Sequence, residues 1–297
     1  MAESLRQIKR RVRSVENTKK ITKAIEMVAA SKLKKYQDLL GQTKAYMSRL
    51  ERMLGDLISA TSSGHPLFET RKTNATLVFL ITSDSGLCGS YNYNLFQLAE
   101  RFLAERSETV SFFAIGRQGF SYLKRKQLEV SGELAIPRPQ EIEQTVSTVK
   151  KVAEQKFIEH TVSQIFLIYT EFISMASYKP KVEQLLPLSA GGRIHQLDGG
   201  QNLKGSLKTV QEYILEPNPE RILEEMVPHY LQLKIEQALK EALVSEQVSR
   251  MIAMKQATDN ATEMIDDLTL QRNKARQAGI TKELIEIVSG AKALQTK

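Results

Sequence analysis

Apolar positions in the last quarter of the chain recur in steps of three and four. Leu231, Ile235, Ala238, Ala242, Ser245, Val248 and Ile252 form one such line, the spacing of a single seam between two helices. No proline follows Pro228 and no glycine occurs until Gly279. The stretch from Arg221 to Leu294 therefore predicts a helix of roughly 110 Å at 1.5 Å per residue. Charges scattered along it (Lys234, Glu236, Lys240, Glu241, Glu246, Arg250, Lys255, Asp259) exclude a membrane span. Residues 3–40 also lack Gly and Pro. There Leu5, Ile8, Val12 and Val15, then Ile21, Ile25, Val28, Leu33, Tyr36 and Leu40, keep one face apolar and leave lysines and arginines on the other. Gly41 and Gly55 each cost about 1 kcal/mol against Ala and are tolerable. Met47, Leu50, Leu54, Leu57 and Ile58 carry the pattern on until the run from Ser62 to Pro66 breaks it. This second helix comes to about 80 Å.

Between the helices the texture changes. Ala75–Thr82 is a continuous apolar run rich in β-branched residues, followed by the turn-like SDSGLCGSYN, as suits a strand buried on both faces. A helical stretch (Tyr93–Glu105), a strand (Thr109–Gly116), a basic helix (Gln118–Lys126) and a proline-containing loop (Ile136–Gln140) come next. Helix-like sequence over Glu141–His160 leads to strands at Ser163–Phe172 and Lys181–Leu188, and Ser189–Gly205 reads as a loop. Alternating strands and helices imply an α/β layer with mainly parallel pairing. The fold expected is a Rossmann-like α/β domain flanked by a long antiparallel coiled coil of the two terminal helices. Its boundaries are 1–60 for the first helix, 72–208 for the central domain and 209–297 for the last segment. The last helix outruns its partner by about 30 Å. That overhang still carries Ile280, Leu284, Ile287, Val288, Ala291 and Leu294, an apolar stripe that needs another protein to cover it.

Charge sharpens this picture. The whole formal net charge of +8 lies in residues 1–60, where 14 Lys and Arg face 6 Asp and Glu. Such a face suits nucleic acid, anionic lipid, an acidic protein surface or plain solvent. The start, MAESLRQIKRR, lacks the apolar core of a secretory signal. The single cysteine, Cys88, reads as a small buried hydrophobe and fits a reducing cytoplasm. Its neighbours SDSGLCGS follow a strand but have neither glycine order of the nucleotide-binding loops, so a strand-to-helix turn is the better account. The four histidines are scattered without metal-ligand spacing. The residues themselves describe an extended interaction protein, with no catalytic, cofactor or metal residues to name. A coiled-coil nucleic-acid binder and an enzyme built on the α/β domain are the alternatives.

A family resemblance enters at both ends. Ile8–Lys35 (IKRRVRSVENTKKITKAIEMVAASKLKK) and Ser245–Leu294 resemble the gamma subunit of the F-type ATP synthase. Ser83–Phe96 (SDSGLCGSYNYNLF) and Glu212–Leu223 (EYILEPNPERIL) match the same family in the same order. Departures include Ile25 where some members carry methionine, Ser85 in place of the usual arginine before GLCG, and Gly279 where Ala or Ser is common. The resemblance implies a non-catalytic rotor shaft, one copy per complex. The shaft would couple ion-driven rotation of the membrane c-ring to ATP synthesis or hydrolysis by the alpha and beta subunits. It implies polar contacts to the catalytic hexamer from Arg250, Arg276, Gln277 and Thr281, with Ile280, Leu284, Ile287 and Val288 as an apolar bearing. Tyr213 and Glu216 map to the segment that meets the epsilon subunit and the ring. It further implies a peripheral protein on the cytoplasmic face of a bacterial membrane, with no cofactor, no nucleic acid and no membrane insertion.

Overall fold

The computed structural model describes residues 5–60, 65–71, 73–188 and 218–295. The element order is α1 (Leu5–Ala60), β1 (Ala75–Ile81), α2 (Tyr91–Ala104), β2 (Thr109–Ile115), α3 (Arg117–Arg125), β3 (Val130–Leu134), α4 (Ile142–Ile158), β4 (Gln164–Ser174), β5 (Ser177–Leu186) and α5 (Pro219–Gln295). The chain packs as two compact units, Met1–Ser31 with Arg250–Lys297 and Lys32–Ser249.

The larger unit holds a five-stranded sheet of order β3-β2-β1-β4-β5. β1 pairs in parallel with β2 and β4, and β2 with β3. β5 pairs antiparallel with β4, so the layer is mixed at one edge. The reason is the tight link between Ser174 and Ser177, which leaves no room for the crossover that a parallel strand needs. β3 is an edge strand that the apolar pattern does not announce. Its sequence VSGEL is only half-buried at alternate positions, and Gly132 is required there because a Cβ would fall 2.5 Å from the Phe113 ring. One face of the sheet packs Val78, Leu80, Phe112, Ala114, Phe166 and Ile168 against Tyr91, Leu95, Ala99 and Phe102 of α2 and Tyr122 and Leu123 of α3. α4 buries Ile142, Val146, Val149, Ala153 and Phe157.

In the same unit α1 and α5 run antiparallel. Thr43 meets Lys240, Lys44 meets Glu241, and Glu51 meets Tyr230. α5 opens with Asn218, whose Oδ1 accepts the Arg221 N–H at 2.9 Å, and with Pro219 at the first helical position, where its missing N–H costs nothing. The helix then runs through Pro228.

The smaller unit pairs the helices in the same sense. Ile8 and Val12 of α1 pack on Leu268 of α5, and Thr22 Oγ1 lies 2.8 Å from Thr258 Oγ1. The expected seam shifts phase here. Ile21, Val28 and Ile252 are exposed, while Thr22, Ala29, Thr258 and Ala261 are buried. A strict three-four alternation carried from Ile8 through Leu40 arrives at Thr22 and Ala29, and the geometry of the pair selects them over their larger neighbours. Tyr213 and Glu216, and the loop read at Ser189–Gly205, lie outside the described residues.

Candidate functional site

α5 beyond Ala275 carries the residues singled out from the sequence. Arg276, Gln277, Ile280, Thr281, Leu284, Ile287 and Val288 are all exposed. At 3.6 residues per turn they fall within an arc of roughly 140°, one face of mixed polar and apolar character. Exposure there is large: 50% for Ile280, 57% for Leu284, 67% for Ile287 and 64% for Val288. Thr281 donates its hydroxyl to the Gln277 carbonyl at 2.9 Å, which leaves Arg276 and the Gln277 amide as the directional donors of this face.

Arg250 sits differently. It is buried at 9% exposure, about 39 Å from Arg276 along a straight helix, so the two do not share a surface. A second exposed set lies on the smaller unit's paired helices: Ile21, Met27 and Val28 on α1, and Ile252, Met264 and Leu270 on α5. Around Thr22, Ala29, Thr258 and Ala261 small and polar side chains fill the seam, while these large apolar ones lie outside. The outward large residues form the kind of surface that a protein partner covers.

The glycine turn after β1 is organised as a turn. Asp84 Oδ1 accepts the backbone N–H groups of Arg117 and Ile136 at 3.0 and 3.2 Å. Asn92 bridges Ser83, donating to its Oγ at 2.7 Å and accepting its N–H at 3.1 Å. The mouth of the sheet, where ligands of open α/β layers usually bind, is occupied by α5. Ser249 Oγ donates to the Cys88 carbonyl at 2.6 Å and Ser245 Oγ to the Thr170 carbonyl at 3.2 Å. A carboxylate and a packed helix at this place disfavour a phosphate group.

A polar cluster joins the β4–β5 hairpin to α5, and no sequence signal pointed to it. Glu183 accepts the Tyr169 hydroxyl at 2.7 Å and pairs with Lys234 at 3.0 Å, while Lys181 bridges Glu171 at 2.7 Å and Glu183 at 3.5 Å. Burial opposes ionising Glu183, but Lys234, Lys181 and the Tyr169 hydroxyl outweigh it and hold its carboxyl below the usual glutamate range. Lys234 lies 51 positions beyond Glu183, and each charged member alone reads as a surface charge.

Among the described residues no group of three His, Cys, Asp or Glu side chains is placed to hold a metal. No helix there is long and apolar enough to cross a membrane. Fold and surface together describe a protein of two long helices and an α/β layer, with exposed apolar side chains on the helices of the kind that partners cover.

Comparison with known proteins gives the class a family. A family model described as ATP synthase matches residues 4–294. The ATP synthase gamma chain of Heliobacterium modesticaldum is 40% identical over 298 residues, covering 98% of this chain and 99% of that one. The gamma chain of Alkaliphilus metalliredigens is 37% identical over 296 residues, covering 99% and 100%. A chain of the Tetrahymena thermophila mitochondrial ATP synthase central stalk and c-ring structure is 27% identical with a TM-score of 0.56, covering 80% of this chain and 99% of that one. A chain of the Euglena gracilis mitochondrial ATP synthase in rotational state 3 reaches a TM-score of 0.68 at 18% identity, covering 98% and 94%. The chain belongs to the ATP synthase gamma chain family.

Proposed function

We propose that this chain is the central rotor shaft of an F-type ATP synthase, present once per complex. It performs no bond chemistry. An ion-driven membrane ring turns it, and its uneven surface drives the catalytic sites of the alpha–beta hexamer through their states. Each orientation of the shaft interacts differently with each catalytic conformation, which is what any shift of state requires. The domain plan of 1–60, 72–208 and 209–297 assigns the helical ends to the shaft and the sheet to its foot. Residues 209–217, with Tyr213 and Glu216, meet the epsilon subunit and the c-ring. The protein is peripheral, on the cytoplasmic face of a bacterial cell membrane.

The observation that carries this reading is the exposed face of α5 from Arg276 to Val288. Arg276 and Gln277 make directional bonds to the catalytic subunits, worth about 1.5–3 kcal/mol where one partner is charged. Ile280, Leu284, Ile287 and Val288 form the apolar bearing. Arg250, being buried, contributes through the small part of its surface that it shows. The test is Arg276→Ala with Gln277→Ala in the assembled complex. Assembly survives, while ATP turnover and ion pumping both fall. Parental turnover and pumping in that variant refute the assignment of the polar contacts. A tagged chain that recovers no alpha and beta subunits refutes the rotor role.

A further inference from the structure

The segment of α5 from Ala238 to Arg250 is buried at every position. Toward α1 it is held by Lys240 at Thr43 and by Glu241 at Lys44, and toward the sheet domain it packs apolar residues such as Ala242 and Val248. Apolar contact is non-directional, so it holds a helix in place without fixing its rotation about its own axis. Against the sheet domain, four hydrogen bonds do fix it. Tyr91, at the start of α2, donates its hydroxyl to the Ala242 carbonyl at 3.2 Å. Ser245 Oγ donates to Thr170 O of β4 at 3.2 Å and Ser249 Oγ to Cys88 O, in the turn after β1, at 2.6 Å. Tyr178 of β5 shares a 3.1 Å bond with Ser249 Oγ. Positions 242, 245 and 249 follow the three-four spacing of one helical face, and their partners come from four different parts of the sheet domain.

The two serines use their hydroxyls unusually for this helix. Thr258, Thr262 and Thr281 each donate to the carbonyl four residues back in α5, the ordinary local choice. Ser245 and Ser249 reach outward to strand and turn carbonyls instead. They do so at the carboxyl ends of β1 and β4, where the strand order reverses, so the crevice that this topology offers to a ligand holds the protein's own helix.

We propose that Tyr91, Ser245 and Ser249 are positioning residues that key α5 against turning in the mouth of the sheet, so that torque passes between the sheet domain and α5 through them. The proposal rests on the rotor reading above. Hydrogen bonds weaken steeply with misalignment, so a small rotation of α5 breaks all of them together, whereas it only exchanges one apolar neighbour for another.

The test uses the full chain with Tyr91→Phe, Ser245→Ala and Ser249→Ala, singly and together. Each change removes a hydroxyl and little volume. In the free chain, hydrogen exchange at the amides of residues 88–95 rises roughly fivefold on loss of the Tyr91 or the Ser249 bond. In the assembled complex, unloaded ATP hydrolysis stays at the parental rate, while ions pumped per ATP against an opposing gradient fall severalfold in the triple variant. A purely structural role predicts instead that hydrolysis and pumping fall in proportion, and that result overturns the proposal. An unchanged pumping ratio overturns it as well. Should the triple variant fail to assemble, Tyr91→Phe alone decides by the same ratio, since it leaves the ring in place. A parental chain that fails to drive pumping at all refutes the rotor reading and not the joint.

Discussion

Replacing Lys234 by methionine probes the polar cluster directly. Lys234 Nζ lies 3.0 Å from Glu183 Oε1, with side-chain exposures of 18% and 21%. The variant keeps much of the aliphatic stem and removes the charge, leaving Glu183 with Lys181 at 3.5 Å and the Tyr169 hydroxyl. Breaking a fully buried pair costs about 3–5 kcal/mol and an exposed one about 0–1 kcal/mol. A pair one-fifth exposed with a second cation nearby falls between, so the expected loss near neutral pH is about 1–2 kcal/mol. The pH dependence follows from the signs. Glu183 has a folded pKa below its unfolded one. Its stabilisation is present above the ordinary glutamate range and lost as pH falls through the folded value. Glu51 is raised, by burial first, with Lys234 and the Tyr230 hydroxyl acting against that. It therefore carries a penalty at neutral pH that protonation relieves, and Lys234→Met enlarges that penalty. Both effects make the deficit of the variant largest near pH 7 and smaller near pH 3, below the ordinary glutamate range of about 4.3, as Glu183 takes up its proton. Urea unfolding followed by circular dichroism at the two pH values measures it. Glu183→Gln combined with Lys234→Met recovers part of the loss, because the amide still accepts from Tyr169 with no charge left to pair. An equal deficit at both pH values refutes the electrostatic account, as does a double variant no better than Lys234→Met.

Two further outcomes test the packing. Thr22→Val or Thr258→Val alone lowers stability by about 1 kcal/mol through loss of the seam bond, the surviving hydroxyl keeping its own helix carbonyl, Lys19 O for Thr22 and Met254 O for Thr258. The double change costs little more than either single one because both remove the same bond; thermal melts of the three variants show whether the seam bond behaves this way. Gly116 has φ 108 and a Cβ there would lie 2.3 Å from Thr82 O, so Gly116→Ala costs several kcal/mol, while Gly279→Ala meets nothing within 4 Å and stabilises its helix by about 1 kcal/mol; chemical denaturation and hydrogen exchange separate the two.

The two long helices, four of the five strands and the apolar stripe of Ile280, Leu284, Ile287 and Val288 were legible in the residues. Each is a local pattern: helical spacing free of Gly and Pro, or a short apolar run between turns. β3 was not legible, because VSGEL has no apolar run and is held by pairing with β2. The antiparallel sense of β5 depends on the Ser174–Ser177 link, which hydrophobicity does not encode. Sequence periodicity found a seam but not its phase, since Ile21 and Thr22 differ by one position and only the partner helix selects between them. Arg250 reads as a surface charge and is buried, and Glu183 with Lys234, or Tyr91 with Ala242, meet across 51 and 151 positions. The sequence by itself determined the two long helices and the apolar strands, because those follow from patterns a few residues apart. Tertiary structure alone decided phase, burial of charge and the joint between helix and sheet, because a side chain's solvation is set by neighbours that the chain brings in from far away.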